Sequence, residues 1–339
     1  VIPAAAGPKT LPKAELHVHL EGTLQPAFAL ELAAREGRDV SAFLRDGAYR
    51  TGDFTQFLAV YDGAAVLLRR EEDFERLAFD YLVSIAGMGA LYAELLVSPD
   101  HGVASGLSAA AYLRAAARGM ARAERRCGIV SRQIVVGVRH FGPEAVERAA
   151  RIAVDPAFPF VTGFNLAGDE RQGRAADFAR AFDIAREAGL GLTAHAGELC
   201  GPASVRGTLD ALKPERLGHG VRAAEDPDLV ARLRGEGIVL EVCPGSNLAL
   251  GICPDLASHP LKALVEAGVK ATLASDDPPF FATDLATEYE RAESLLPGRG
   301  LTFTRTAIEA AFVDEPTRRR LLDAMLARAM ALGAPPAAG

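Results

Sequence analysis

The stretch RAADFARAFDIAREAGLGLTAH, residues 174–195, sets an amphipathic, Ala- and Arg-rich segment of helical length (Arg174–Ala188) before a short β-rich run, Gly191–His195. Gly189 lies between them, where a helix C-cap favours glycine. A further run of strand type follows at Arg216–His219. Then come a second helical segment, Asp226–Gly235, the glycine Gly237, and another strand-like run, Ile238–Val242. Strands that alternate with helices pair in parallel, because each crossover helix returns the chain to the same edge of the sheet.

Working outward, the same pattern gives four more runs before this stretch and one after it: Glu15–Leu20, Leu91–Ser98, Gln133–His140, Phe160–Leu166 and Lys270–Ala274. Eight units is the count of a closed (β/α)₈ barrel. The fold class read from the sequence is therefore α/β, a single (β/α)₈ TIM barrel. No Gly/Ser-rich linker or low-complexity block divides the chain, so one domain is expected over residues 1–339. The interval between Leu20 and Leu91 is far longer than a crossover needs. Within it Phe54, Phe57, Leu58 and Tyr61 fall at i, i+3, i+4 and i+7, one face of a helix. The extra helices after the first strand are expected to pack on the barrel and to form a lid whose apolar face lines a substrate pocket.

Composition narrows the function. The 339 residues are 49% hydrophobic and 24% charged, with a formal net charge of −7. No dense Lys/Arg cluster offers a surface for nucleic acid phosphates or anionic membrane. No uncharged apolar stretch reaches the length of a membrane span. Cys127, Cys200, Cys243 and Cys253 contain no C-x-x-C pair and build no disulfide framework, which points to a reducing, cytoplasmic compartment. The Pro- and Ala-rich start, Val1 to Lys13, lacks the charged and apolar regions of a signal peptide.

In a barrel of this kind chemistry sits at the C-terminal ends of the strands. Those ends carry His17-Val18-His19-Leu20-Glu21, Arg139-His140, Gly168-Asp169-Glu170, His195-Ala196-Gly197-Glu198, Gly218-His219-Gly220 and Ser275-Asp276-Asp277. His17 and His19 are two apart on a strand and project from the same face. An H-x-H pair alone is weak evidence, but a third histidine after the fifth strand and an acidic pair after the eighth point to one metal site. Three neutral imidazoles, one carboxylate and an open position suit a catalytic Zn²⁺, one per chain, and by ligand type also admit Fe²⁺ or Mn²⁺. Adjacent aspartates point different ways, so one of Asp276 and Asp277 can ligate while the other faces substrate. Metal-activated hydrolysis also needs a base and an acid, for which His219 and Glu198 are the candidates. Binuclear relatives of this barrel commonly use a carboxylated lysine at the fourth strand. The five lysines (9, 13, 213, 262, 270) all lie elsewhere, which favours a single metal. The P-C-x-x-C that accompanies H-x-E in the other zinc deaminases and the H-E-x-x-H of metalloproteases are both missing from the sequence.

The ordered segments PKAELHVHLEGTLQP, NLAGDE, TAHAGE, RLGHGV, LEVCPGSN and LASDDPPFF run from about Pro12 to Phe281 and resemble the adenosine deaminase family. The resemblance implies a small-molecule purine as partner and His17, His19, His195 and Asp276 as zinc ligands. It implies that Asp277 meets the N7 side of the purine, and that the Gly168 N–H meets N3. Glu198 would protonate N1, and His219 would orient and deprotonate the attacking water. A proton-carrying Glu198 requires a pocket that raises its pKa. The helix of Phe54, Phe57, Leu58 and Tyr61 matches the one that closes over the purine. Position 21 departs from the pattern: it is Glu, where familiar enzymes acting on adenosine have an Asp that contacts the ribose. EGTL is more like relatives that use adenine, whereas NLAGDE is more like the nucleoside enzymes. The expectation is deamination of adenosine or deoxyadenosine, with adenine or another modified 6-aminopurine as the alternative.

Overall fold

The structure, a computed structural model, describes residues 10–333. The start read above as lacking a leader lies, through residue 9, outside the described residues. Eight strands form one parallel sheet: β1 (Lys13–His19), β2 (Ala90–Val97), β3 (Val130–Val138), β4 (Val161–Ala167), β5 (Gly191–Ala196), β6 (Arg216–His219), β7 (Val239–Val242) and β8 (Lys270–Leu273). Each pairs with the next in chain order. The two edges then meet through a parallel bridge between Val18 and Asp276. There the His19 N–H donates to Asp276 O at 3.0 Å and the Asp276 N–H to His17 O at 3.2 Å. The result is a nearly closed (β/α)₈ barrel, and each of the eight strand-like runs of the sequence lies on one strand.

The boundaries differ in instructive ways. β1 starts two residues earlier than its apolar pattern, because the Lys13 ammonium donates to Leu11 O at 3.0 Å and Met88 O at 2.8 Å instead of needing solvent. β3 ends at Val138, and Arg139–Phe141 form a 3₁₀ turn, so His140 belongs to the turn and not to the strand. The segment read as one helix from Arg174 splits into a 3₁₀ turn, Ala175–Phe178, and a helix, Ala179–Glu187. The Asp177 carboxylate accepts the Arg174 N–H at 2.8 Å and tightens that first turn.

The long interval after β1 holds α1 (Pro26–Glu36), a two-stranded ribbon (Leu44–Arg45 with Ala48–Tyr49), α2 (Phe54–Ala65) and α3 (Glu71–Gly87). Asp53 caps α2 by accepting the Gln56 N–H at 3.0 Å. Two more helices follow β2: α4 (Pro99–Ala104) and α5 (Ala109–Cys127). No helix among the described residues is long and apolar enough to cross a membrane.

The barrel interior is charged as well as apolar. Arg216 on β6 places Nη2 2.5 Å from Glu94 Oε2 on β2 and Nε 2.7 Å from Glu241 Oε1 on β7. β2 and β6 are not neighbours in the sheet, so these side chains meet across the lumen. Buried charges survive only when paired, and this triad is paired at both ends. A register slip on β1 sets the layer above it. Glu15 pairs with Ala93 but Val18 with Leu95, three residues against two, which is a bulge. Before the slip Glu15 reaches Ser275 and Tyr81 of α3. Within it His17 reaches Glu241 on β7, and beyond it His19 reaches His195 on β5.

Candidate metal and catalytic centre

The strand ends deliver their polar cargo to one cavity. From the barrel it is lined by His19, His195, Glu198, His219, Asp276 and Asp277, and beside them by Gly168. From above it is lined by Phe54, Phe57, Leu58 and Tyr61 of α2. Of the site residues expected from sequence, only His17 and Glu21 do not line it. His17 is wholly buried beneath the cavity. The Glu21 carboxylate sits behind its wall, accepting the Tyr112 hydroxyl at 2.6 Å and the Tyr61 hydroxyl at 3.3 Å.

The imidazoles are held at their far nitrogens. His17 Nδ1 lies 2.7 Å from Glu241 Oε2, and His195 Nδ1 lies 3.2 Å from Leu166 O. Glu241 in turn accepts the Thr193 hydroxyl at 3.0 Å and faces Arg216. This leaves the Nε2 atoms facing inward, and that of His17 is buried with no hydrogen-bond partner. Such an orphan is costly unless something occupies it. Asp276 Oδ1 is 3.5 Å from both His17 Nε2 and His19 Nε2, and His19 Nε2 is 3.3 Å from His195 Nε2. Those separations match the edges of a tetrahedron whose metal–ligand bonds are about 2.0–2.2 Å. The donor set therefore fits a metal ion.

A fourth imidazole competes for inclusion. One ligand atom each of His17, His195, His219 and Asp276 lie within 4.8 Å of one another, as do one each of His19, Asp276 and Asp277. His219 Nε2, however, is 4.0 Å from the other aspartate oxygen, Oδ2, and 3.6 Å from Glu198 Oε1. It stands between the cluster and the glutamate.

Backbone strain concentrates here. His219 has φ +60° and Asp276 φ +63°, in the left-handed region that non-glycine residues seldom occupy. Gly218 is required by close approach. A Cβ there would sit 2.7 Å from His17 Cε1 and 3.2 Å from the His195 ring.

Electrostatics separate the three acids on the barrel side of the cavity. Burial works against ionised Asp276, but His17 at 3.5 Å and the other neighbouring imidazoles hold its carboxyl far below the usual range. Burial, and then the Asp276 charge, push both Glu198 and Asp277 well above it. Burial opposes a charge on His17, yet the Asp276 and Glu241 carboxylates beside it raise its pKa to about 10, and a metal held at Nε2 would take the place of that proton. Burial takes His19 down to about 3 and His219 to about 4. Among these three, charge is favoured on Asp276 and opposed on Glu198 and Asp277.

Several residues had no signal in the sequence. Arg216 and Glu241 fall inside expected strands and Asn247 in the segment LEVCPGSN, and nothing in the sequence gives them a role at the site. Asn247 Nδ2 lies 3.4 Å from His219 Nδ1, and Asn247 Oδ1 3.1 Å from His259 Nε2. His101 on α4 and Asp62 on α2 also line the cavity, with His101 Nε2 3.2 Å from Asp62 Oδ1. They come together only because two insertions pack against each other. His140 lines the cavity from its turn.

The chain as a whole is similar to known proteins. A family model described as adenosine deaminase matches residues 12–328. A protein named adenine deaminase from Rhizobium johnstonii is 57% identical over 316 residues, 92% of this chain and 98% of its own length. Among solved structures, an adenine deaminase from Arthrobacter aurescens superposes with a TM-score of 0.87 at 29% identity, covering 94% of this chain and 98% of its own. An amidohydrolase from Burkholderia ambifaria with bound Zn superposes at 0.86 with 27% identity, covering 98% and 99%.

Proposed function

This chain belongs to the adenosine deaminase family and hydrolytically deaminates a 6-aminopurine, and from that premise we propose that the purine is free adenine, converted with water to hypoxanthine and ammonia. One observation carries the choice: identity of 57%, over nearly the full length of both chains, to a protein named adenine deaminase. The sequence motifs put adenosine first, on the strength of NLAGDE. The relatives move the reading to the alternative, in agreement with the glutamate at position 21.

His17, His19, His195 and Asp276 would hold the metal, and three imidazoles with one carboxylate favour zinc. Bound there, the ion supplies Lewis acidity, which makes water a competent nucleophile near neutral pH. The remaining work belongs to the chain. Adenine presents ring nitrogens N1, N3 and N7, all hydrogen-bond acceptors. The cavity answers with donors: the raised acids Glu198 and Asp277 carry protons for N1 and N7, and the Gly168 N–H faces N3. Proton transfer from Glu198 to N1 makes C6 electrophilic. His219, kept neutral by burial, accepts a proton from the attacking water. The C6–O bond forms, His219 passes the proton it took on to the exocyclic nitrogen, the C6–N bond breaks to release ammonia, and the remaining hydroxyl proton returns to Glu198, leaving the C6=O, N1–H product. The rings of α2 exclude bulk water from this exchange.

The test is a substrate screen with the metal-loaded enzyme, following ultraviolet absorbance as the amino group leaves. Adenine should exceed adenosine and deoxyadenosine in kcat/KM by at least about a hundredfold, the scale on which a shaped pocket rejects a misfit. Equal or better turnover of adenosine would return the reading to the nucleoside.

A further inference from the structure

One buried acid beside the centre takes no part in the chemistry above. Glu170 follows β4 and is 4% exposed. Its Oε1 accepts the Gly197 N–H at 2.6 Å and the Ser204 hydroxyl at 2.5 Å. Its Oε2 accepts the N–H groups of Glu198 at 3.1 Å, Leu199 at 2.8 Å and Cys200 at 2.9 Å. Five donors, four of them consecutive backbone amides, converge on one carboxylate. Those amides lie in the bend between β5 and the helix Pro202–Leu212, outside either element's own hydrogen-bond ladder. Buried amides need an acceptor, and bonds to a charged one are the strong kind.

We propose that Glu170 is the positioning residue for the proton carrier: its carboxylate fixes the backbone of Gly197–Cys200, so that the Glu198 side chain is aimed into the cavity. The inference rests on the reading of Glu198 as the group that protonates the purine. Gly197 sits at φ +75°, and a Cβ there would come within 2.5 Å of Val205, so the bend has one tight path from strand to helix. Glu170 holds the rest of that path, including the amide of Glu198 itself. Its neighbour Asp169 turns the other way and pairs with Arg171 at 2.7 Å, on the cavity's outer side near Thr55 of α2. A simple anchor for the helix Pro202–Leu212 would need only the Ser204 contact. The four amide bonds lie upstream of that helix, on the catalytic bend.

The experiment compares Glu170→Gln, Glu170→Asp, Glu198→Gln and the double variant Glu170→Gln/Glu198→Gln in the metal-loaded full chain. Glu170→Gln keeps the shape but turns one acceptor into a donor facing N–H groups. Its kcat should fall about a hundredfold, the scale for a catalytic group misplaced by an ångström, with KM and metal content unchanged. Glu170→Asp keeps the charge, folds under milder strain and should lose about tenfold. Acting through Glu198, the Gln change should add nothing to Glu198→Gln in the double variant. Wild-type kcat in a folded Glu170→Gln, or in Glu170→Asp if the former does not fold, overturns the proposal. So does a further loss in the double variant, or a rise in KM at constant kcat. If Glu198→Gln itself stays active, the reading beneath the proposal fails instead, and the two failures are thereby distinct.

Discussion

The floor and the roof of the cavity are built on different principles. On the floor each group is pinned by directed bonds: His17 by Glu241 at 2.7 Å, His195 by Leu166 O at 3.2 Å, Asp276 by backbone bonds to both flanking residues of the first strand's end. The roof is made of rings in loose contact. Phe57 meets Phe281 at 4.8 Å and Phe280 at 6.1 Å between centroids, and Tyr61 meets Phe280 at 5.8 Å. Apolar contact is non-directional and tolerates displacement, whereas a metal-ligand set loses function within tenths of an ångström. Under the function proposed above, the floor would set the chemistry and the roof would govern what reaches it.

The largest effects should come from the floor, and adjacent aspartates give the sharpest version. Asp276→Ala should lose bound metal and turnover together, beyond the about 10–100-fold typical of outer-shell changes. Asp277→Ala should keep a full complement of metal and lose about 10²–10³ in kcat/KM, as for a donor that stabilises the reacting group. Metal analysis beside steady-state kinetics reads both. Metal retained in the first variant and lost in the second would reverse the assignment of the pair.

One layer deeper, Glu241→Gln tests whether the lumenal charges serve the floor. The change removes the anion between His17 and Arg216 while Glu94 still pairs the arginine. Metal affinity, measured by competition with a chelator, should drop about 10–100-fold. An affinity equal to the parent would mean that the triad only fills the barrel.

The same contrast explains which features the amino-acid sequence discloses and which it hides. The floor is legible because its residues sit at strand ends in a fixed order: His17 and His19 share a strand, and His195, His219 and Asp276 each end or follow one. What joins them is not legible. The slip on β1 that sends Glu15 to α3 and His17 into the lumen breaks the simple alternation, and no residue type announces it. Glu170 reads as one more acid in a turn, because its partners are backbone amides, and amides carry no sequence signature. The roof is legible only as a helix with an apolar face. Its partners, His101 on α4 and Phe280 after β8, come from insertions and loops whose packing no periodicity encodes.

The smallest effect should come from the place where roof and floor touch. Glu21 follows β1, and its carboxylate, pushed up by burial, accepts the Tyr112 hydroxyl at 2.6 Å and that of Tyr61 at 3.3 Å. It therefore shapes the cavity through Tyr61, without lining it. Glu21→Asp withdraws the carboxylate by one methylene and cannot hold both phenols. The shorter bond to Tyr112 should persist and the longer one to Tyr61 should go. Losing one hydrogen bond of this kind costs about 0.5–1.5 kcal/mol, or about two- to tenfold. Because the loss frees the roof and not the floor, metal content should stay constant. The adenine-to-adenosine ratio of kcat/KM should shift toward adenosine by that factor, as room opens beside the ring. An unchanged ratio would remove position 21 from the specificity argument, and a loss of metal would show that roof and floor are one mechanical unit.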